Sequence, residues 1–316
     1  MLFRSDGDPV FRGMAGSRVN ILLDGEHIMG GCGGRMDPPT AYIFPEAYDR
    51  ITILKGPQSV QYGPGASAAT VLFERERERA VDTTTSLRGS LTLGSFGRND
   101  QVLDANHATP QFYVRGTATR SQADDYEDGD GRKVHSEYLR WSANAALGWT
   151  PDDDTLVELN LARSDGEAAY ADRSMDGTLF DRENIGLKFE RRNVSPLVES
   201  LTAQLYRNYV DHVMDNYSLR KQPGMKMLNN PDRLTRGGRM VAGLSLGEAT
   251  HLDRGADLQY NDHSLRNGVD YRDKPRMDDA EFRNAGLFAE MRHALGDDRR
   301  IVAGLRVDRW RAKDER

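Results

Sequence analysis

The chain has 316 residues, a net charge of −6, 38% hydrophobic residues and a mean hydropathy of −0.68. Its apolar runs are a handful of residues long, short of the ~20 a membrane-spanning helix needs, although a β-barrel of alternating strands stays open. Acidic and basic residues are interspersed without a basic stripe, so no nucleic-acid partner is expected, and a single cysteine excludes an intramolecular disulfide.

In chain order, MLFRSDGDPVFRG has no apolar segment and no small-residue cleavage site, so no signal peptide is expected in this chain. RVNILLDGEHI reads as strand, Asp24-Gly25 turn, strand. GGCGGRMDPP follows, too rich in glycine to pack a core; it holds the only cysteine, Cys32, and four positions later Met36. DRITILKGP is a further strand ended by Gly56-Pro57, and VQYGPGASAATVLF is turn-rich and runs into a short strand. The run ERERER, Glu74 to Arg79, reads as a solvated connector. Residues 1–80 therefore form a small mixed domain, with the charged run at its boundary.

From residue 81 the period is two. In SEYLRWSANAALGW, Leu139, Trp141, Ala143, Ala145, Leu147 and Trp149 share one parity, and Arg140, Ser142, Asn144 and Gly148 the other. FYVRGTATR, TLVELNLARS, NIGLKFERR, SLTAQLYRNY, MVAGLSLG, AGLFAEMRHAL and IVAGLRVDRW alternate likewise, joined by polar connections of which some are tight and others long. Trp149, Tyr206, Tyr209 and Trp310 sit near expected strand ends, as interfacial aromatic girdles do. A soluble sandwich or propeller is compatible with the alternation, but a long meander of roughly 10-residue strands favours a barrel. DDYEDGDG lacks the twelfth-position glutamate of a calcium loop and reads as a solvated acidic turn. The end, RVDRWRAKDER, stops within a strand-like run, and both termini read as interrupted: a fragment is expected.

VFRGMAGSRVNILLDGEHI and PEAYDRITILKGPQSVQYGPGASAATVLF resemble the plug domain of TonB-dependent outer-membrane receptors, with RGM, the Asp24-Gly25 strand end, Lys55-Gly56-Pro57-Gln58-Ser59 and Tyr62-Gly63 in the family's order. GGCGGRMDPPTAYIFPE and DHVMDNYSLR look like the copper receptors within it. Ala68-Ala69 replaces the family's usual consecutive glycines and is expected to tighten or distort a turn. The fold implied is mainly β: over residues 1–80 the C-terminal part of a mixed α/β plug, whose first part and TonB box are expected to be missing, then over residues 81–316 the N-terminal part of an antiparallel transmembrane barrel, left incomplete. Residues 81–316 hold about nine to eleven strands, about half of a 22-stranded transporter. The resemblance implies an outer-membrane location, contact with lipid, and energy coupling through TonB, ExbB and ExbD.

The sulfur pair suits copper. Cu(I) is soft and prefers thiolate, thioether and imidazole; Cys32 and Met36 can chelate from one loop whose glycines let both sulfurs turn inward. A second pair, His212 and Met214, shares one side of a strand. Leu201, Ala203 and Leu205 are the lipid-facing set of that strand, and Thr202, Gln204 and Asn208 the polar set. His212 and Met214 continue the polar parity, and so face the lumen if no bulge intervenes. Copper receptors resembling this chain use such a CxxxM plus HxM set. Singly, each residue has a bland reading: a small buried thiol, a hydrogen-bonded histidine, space-filling methionines. His27 and Met29 form a competing HxM, and Met225 and Met227 fall on an external loop. His107, His135, His251, His263 and His293 are scattered without a nucleophile motif, so no enzyme is expected. The competing functions are a receptor of the same fold for a siderophore or cobalamin, with Cys32 incidental, and a non-transporting β-barrel or adhesin-like binding protein, against which the plug resemblance argues.

Overall fold

The computed structural model describes residues 7–33, 35–56, 59–64, 67–76, 79–221, 224–296 and 298–314. Gly34 of the glycine-rich stretch, the start of MLFRSDGDPVFRG, Pro57-Gln58, Arg77-Glu78 of the charged run and residues 222–223 lie outside them.

The N-terminal unit is a four-stranded sheet, β1 (Val19–Leu23), β2 (Glu26–His27), β3 (Arg50–Lys55) and β4 (Ala69–Glu74), in the order β2-β1-β4-β3. Leu23 pairs with Glu26 across a tight turn, with φ of 50° at Asp24 and 90° at Gly25. Positive φ at both central residues matches the right-handed twist of a hairpin, which is why Asp-Gly serves here. β4 lies between β1, parallel to it, and antiparallel β3. The Ala68-Ala69 departure distorts nothing: Ala69 opens β4, is fully buried and pairs with Val19 and Lys55. The α contribution expected of a mixed α/β domain reduces, among the described residues, to short 3-10 turns at Gly16–Arg18, Pro39–Tyr42 and Pro45–Ala47.

An eleven-stranded antiparallel meander follows. Its strands are β5 (Thr84–Leu93), β6 (Asn99–Ala108), β7 (Phe112–Ala123), β10 (Tyr138–Trp149), β11 (Thr155–Ala168), β12 (Asp176–Arg192), β13 (Val198–Asp215), β14 (Leu228–Ser245), β15 (Thr250–Asn267), β16 (Met277–Ala294) and β17 (Arg300–Asp314); β8 (Tyr126–Glu127) and β9 (Lys133–Val134) make a small hairpin in one loop. Connections at one end are short (109–111, 150–154, 193–197, 246–249), and those at the other include the longer 124–137, 216–227 and 268–276. Among the described residues the sheet stays open, with β5 and β17 at its edges.

The two faces of the large sheet are inverted relative to a soluble protein. Its outer face exposes Leu147, Leu161, Ile185, Leu187, Leu205, Leu258, Leu287 and Leu305. The inner face buries Glu158, Asn160, Gln204, Asn208, Thr235 and Asn261. Water would reward neither choice; a hydrocarbon exterior rewards the first, and a polar lumen filled by another domain permits the second. The core is shared: Val19, Ile21, Val71 and Phe73 of the small sheet cluster with Phe180, Val210 and Met214 of β12 and β13. Trp149 is exposed on the outer face, but Trp310 lies opposite Asn284 and shares the inner-face parity of Arg306 and Asp308, and Tyr206 is buried on the inner face in mid-strand, so neither of these two belongs to an outer girdle. The charged run is not wholly solvated either, because Arg75 turns inward to pair with Asp24 at 3.1 Å and to donate to Asn144 of β10.

Candidate metal centre

The glycine-rich loop is organised by one carboxylate. Asp37, fully buried, accepts from the Gly31 N–H at 2.6 Å, the Cys32 N–H at 2.8 Å and the Tyr42 hydroxyl at 2.5 Å. Burial, and then the charge of Asp37, push the Tyr42 phenol well above its usual range, so it stays a donor. Arg35, at φ 55°, returns the chain by an N–H to the Cys32 carbonyl and pairs with Asp8. Glycine is required at Gly30, where a Cβ would stand 1.8 Å from the Asp37 carbonyl oxygen, and fits closely at Gly31, where a Cβ would stand 3.2 Å from the Pro231 oxygen of β14 and 3.5 Å from the His212 Cβ. The loop backbone therefore lies directly against the barrel wall beside His212.

His212 and Met214 face inward, as parity predicts. The even residues of β13 from Gln204 to Met214 are all buried, and His212 and Met214 are 0% and 1% exposed. A register shift does occur here, but on β12, between Gly177 and Leu179, so the β13 alternation is unbroken. The Leu179 carbonyl lies 2.8 Å from His212 Nδ1 and accepts a hydrogen bond from its N–H. In the neutral ring that leaves Nε2 as a bare acceptor, and Nε2 is buried with no hydrogen-bond partner among the described residues. The ring is held 4.6 Å from that of Phe180, centroid to centroid. An imidazole oriented through one nitrogen, with the other buried and idle, has the form of a metal ligand.

Of the four sequence-derived residues, Met36 packs, partly buried, against the cluster that contains Met214, and Cys32 follows Gly31, which abuts the His212 β-carbon. Cys32 is half-buried and borders an open recess lined by Pro231, His263, Met277 and Asp279. Among the described residues no three His, Cys, Asp or Glu side chains stand together as a metal cluster. The competitor pair separates: His27, driven down to about 4 by burial, borders a small cavity with Tyr62 and Asp257, while Met29 sulfur accepts from Arg233 Nη1 at 3.1 Å. Met225 and Met227 are exposed.

His263, set aside among the scattered histidines, belongs to this place. Its Nε2 donates to the Gly31 carbonyl at 2.5 Å, and its Nδ1 lies 2.6 Å from the Asp279 carboxylate. Arg233 acts electrostatically on both Asp37 and Cys32. The one signal that could have found His263 is its parity on β15, where Gln259, Asn261 and His263 form the buried set.

The family model for the TonB-dependent Receptor Plug Domain matches residues 3–70, and that for the TonB dependent receptor-like, beta-barrel matches residues 63–316. Among solved structures the chain is similar to one described as Copper transporter OprC, at 46% identity and TM-score 0.96, covering 98% of this chain and 50% of that one. Among curated proteins it is similar to the Ferrioxamine receptor of Yersinia enterocolitica, 24% identical over 54% of this chain and 23% of that protein. It is also similar to the Ferric enterobactin receptor PirA of Pseudomonas aeruginosa, 26% identical over 53% of this chain and 26% of that protein. The matches span about half the length of the solved relative and about a quarter of the curated ones.

Proposed function

Because the chain belongs to the TonB-dependent receptor family, we propose that it supplies the C-terminal part of the plug, residues 1–80, and the N-terminal part of the barrel, residues 81–316, of an outer-membrane receptor for copper. Cys32 and Met36 of the plug and His212 and Met214 of β13 bind the ion, with Cu(I) the favoured form because three of the four donors are sulfur. The observation that carries this reading is the buried Nε2 of His212, without a hydrogen-bond partner among the described residues, on a histidine whose β-carbon abuts Gly31 of the Cys32 loop. The 46% identity to a structure described as a copper transporter supports it.

The ligands sit on two bodies. A displacement of the plug, driven through TonB, ExbB and ExbD, withdraws the Cys32–Met36 loop from His212 and Met214. The ion then loses two donors at once and can leave toward the periplasm. Soft ligands also give selectivity, since zinc and iron in the same medium gain less from thioethers.

The curated relatives, both receptors for iron carriers by name, favour a second reading in which the same fold takes a siderophore and Cys32 is a bystander. Copper content separates the two. The complete receptor, purified from outer membranes and loaded anaerobically with Cu(I), should hold about one copper per chain, and the Cys32→Ser variant little. Equal copper in both, or none in either, favours the siderophore reading.

A further inference from the structure

We propose that Asp37 and His263 are the positioning residues of this copper site, clamping the peptide that carries Cys32 from the plug side and the barrel side together. The inference rests on the copper reading above.

Gly31 is held at every atom by which a glycine can be held. Its N–H goes to the buried Asp37 carboxylate at 2.6 Å, and the next N–H, that of Cys32, to the other oxygen of the same group at 2.8 Å. Its carbonyl goes to His263 Nε2 at 2.5 Å. Its α-carbon lies where even a methyl would reach 3.2 Å from the Pro231 oxygen. His263 comes from β15, 232 residues further along the chain, so the contact joins two bodies.

The arrangement makes physical sense only for a loop that must be rigid. A carboxylate enclosed in protein is costly unless its lone pairs are satisfied. The three donors on Asp37 are the loop's own Gly31 and Cys32 amides and the Tyr42 hydroxyl. Gly30, Gly31 and Gly33 would otherwise leave this segment with more backbone freedom than any other composition. Fixing the Gly31–Cys32 peptide in advance removes that freedom before the ion arrives, so ordering the loop does not weaken binding. Neither Asp37 nor His263 need touch copper to do this.

The test uses the complete receptor, with Cu(I) affinity measured anaerobically by competition with bicinchoninate, and the rate at which iodoacetamide alkylates Cys32 in metal-free protein. Asp37→Asn and His263→Leu should each weaken Cu(I) by about 10- to 100-fold, the usual effect of removing a group that orients a ligand, and should speed alkylation. His263→Gln keeps an amide donor for the Gly31 carbonyl and should bind like the parent. The histidine pair keeps the inference falsifiable should Asp37→Asn fail to fold. Parent-like affinity in both Asp37→Asn and His263→Leu overturns the inference and leaves the copper reading standing. Loss in His263→Gln equal to that in His263→Leu overturns the inference that His263 acts by holding the Gly31 carbonyl. A parent that binds no Cu(I) overturns the copper reading and this inference with it.

Discussion

At the scale of the residue, the two glycines before Cys32 leave unequal room for an added methyl. Gly30→Ala would drive a methyl to 1.8 Å from the Asp37 carbonyl oxygen, and Gly31→Ala one to 3.2 Å from Pro231. Both should lower Cu(I) affinity, Gly30→Ala more severely, because the first collision is with the loop's own rigid backbone and the second can be relieved by a small shift. A Cu(I) titration of the two variants checks the order; reversed order would mean that the loop does not form as described. The four proposed ligands were legible in the sequence for separate reasons. Cys32 and Met36 stand out by residue type in a stretch that cannot pack. His212 and Met214 stand out because period two, counted from Leu201, assigns them a side. His263 was not legible, because its partner lies on the opposite body and no local pattern connects it to Gly31. Asp37 was hidden among the many turn aspartates, its three donors being visible only once the loop is closed.

At the scale of the element, the β1–β2 hairpin docks directly on the barrel wall. Glu26 of β2 accepts from Asn184 of β12 at 2.8 Å and from Gln204 of β13 at 3.3 Å. Its carboxylate fits only because Gly186 has no side chain, since a Cβ there would stand 2.0 Å from Glu26 Oε1. Burial pushes this carboxyl up from 4.5 to about 7, against the pull of the Asn184 hydrogen bond. Below pH 4.5 the folded and unfolded chains both hold the proton; between there and about 7 only the unfolded chain gives it up. The docked hairpin therefore loses stability as pH rises through that window and changes little above it. Thermal unfolding of the receptor in detergent, followed from pH 5 to 8, should show a midpoint that falls with rising pH, and Glu26→Gln should flatten the slope. A slope unchanged in the variant would assign the titration to another group. The strands themselves were readable from alternation and turn chemistry, as Asp24-Gly25 illustrates. Tyr206 misled because an aromatic near an expected strand end resembles a girdle, whereas β13 runs on to Asp215 and leaves that ring in mid-strand.

At the scale of the whole molecule, the outward apolar face and inward polar face make sense only around a filled lumen within lipid. Leu205 is 64% exposed and its neighbour Gln204 is buried. In a water-soluble sheet Leu205→Arg would be close to neutral. On a lipid face it costs about 2–4 kcal/mol near the bilayer midplane. Assembly of the complete receptor into phospholipid vesicles should therefore fall in Leu205→Arg, and parent-like yield would argue that this face meets water. The overall architecture was legible because eleven strands of one parity rule and one plug pattern repeat a single physical constraint. The joint core was not, since Val71 and Met214 come from distant segments that alternation treats separately. In the proposed site one copper is held between the two bodies by three sulfurs and one imidazole. X-ray absorption at the copper edge of the Cu(I)-loaded receptor reads that shell directly. It should be dominated by sulfur, with a single nitrogen scatterer that disappears in His212→Leu. A shell of nitrogen and oxygen alone, or a nitrogen that persists without His212, would contradict the proposed site.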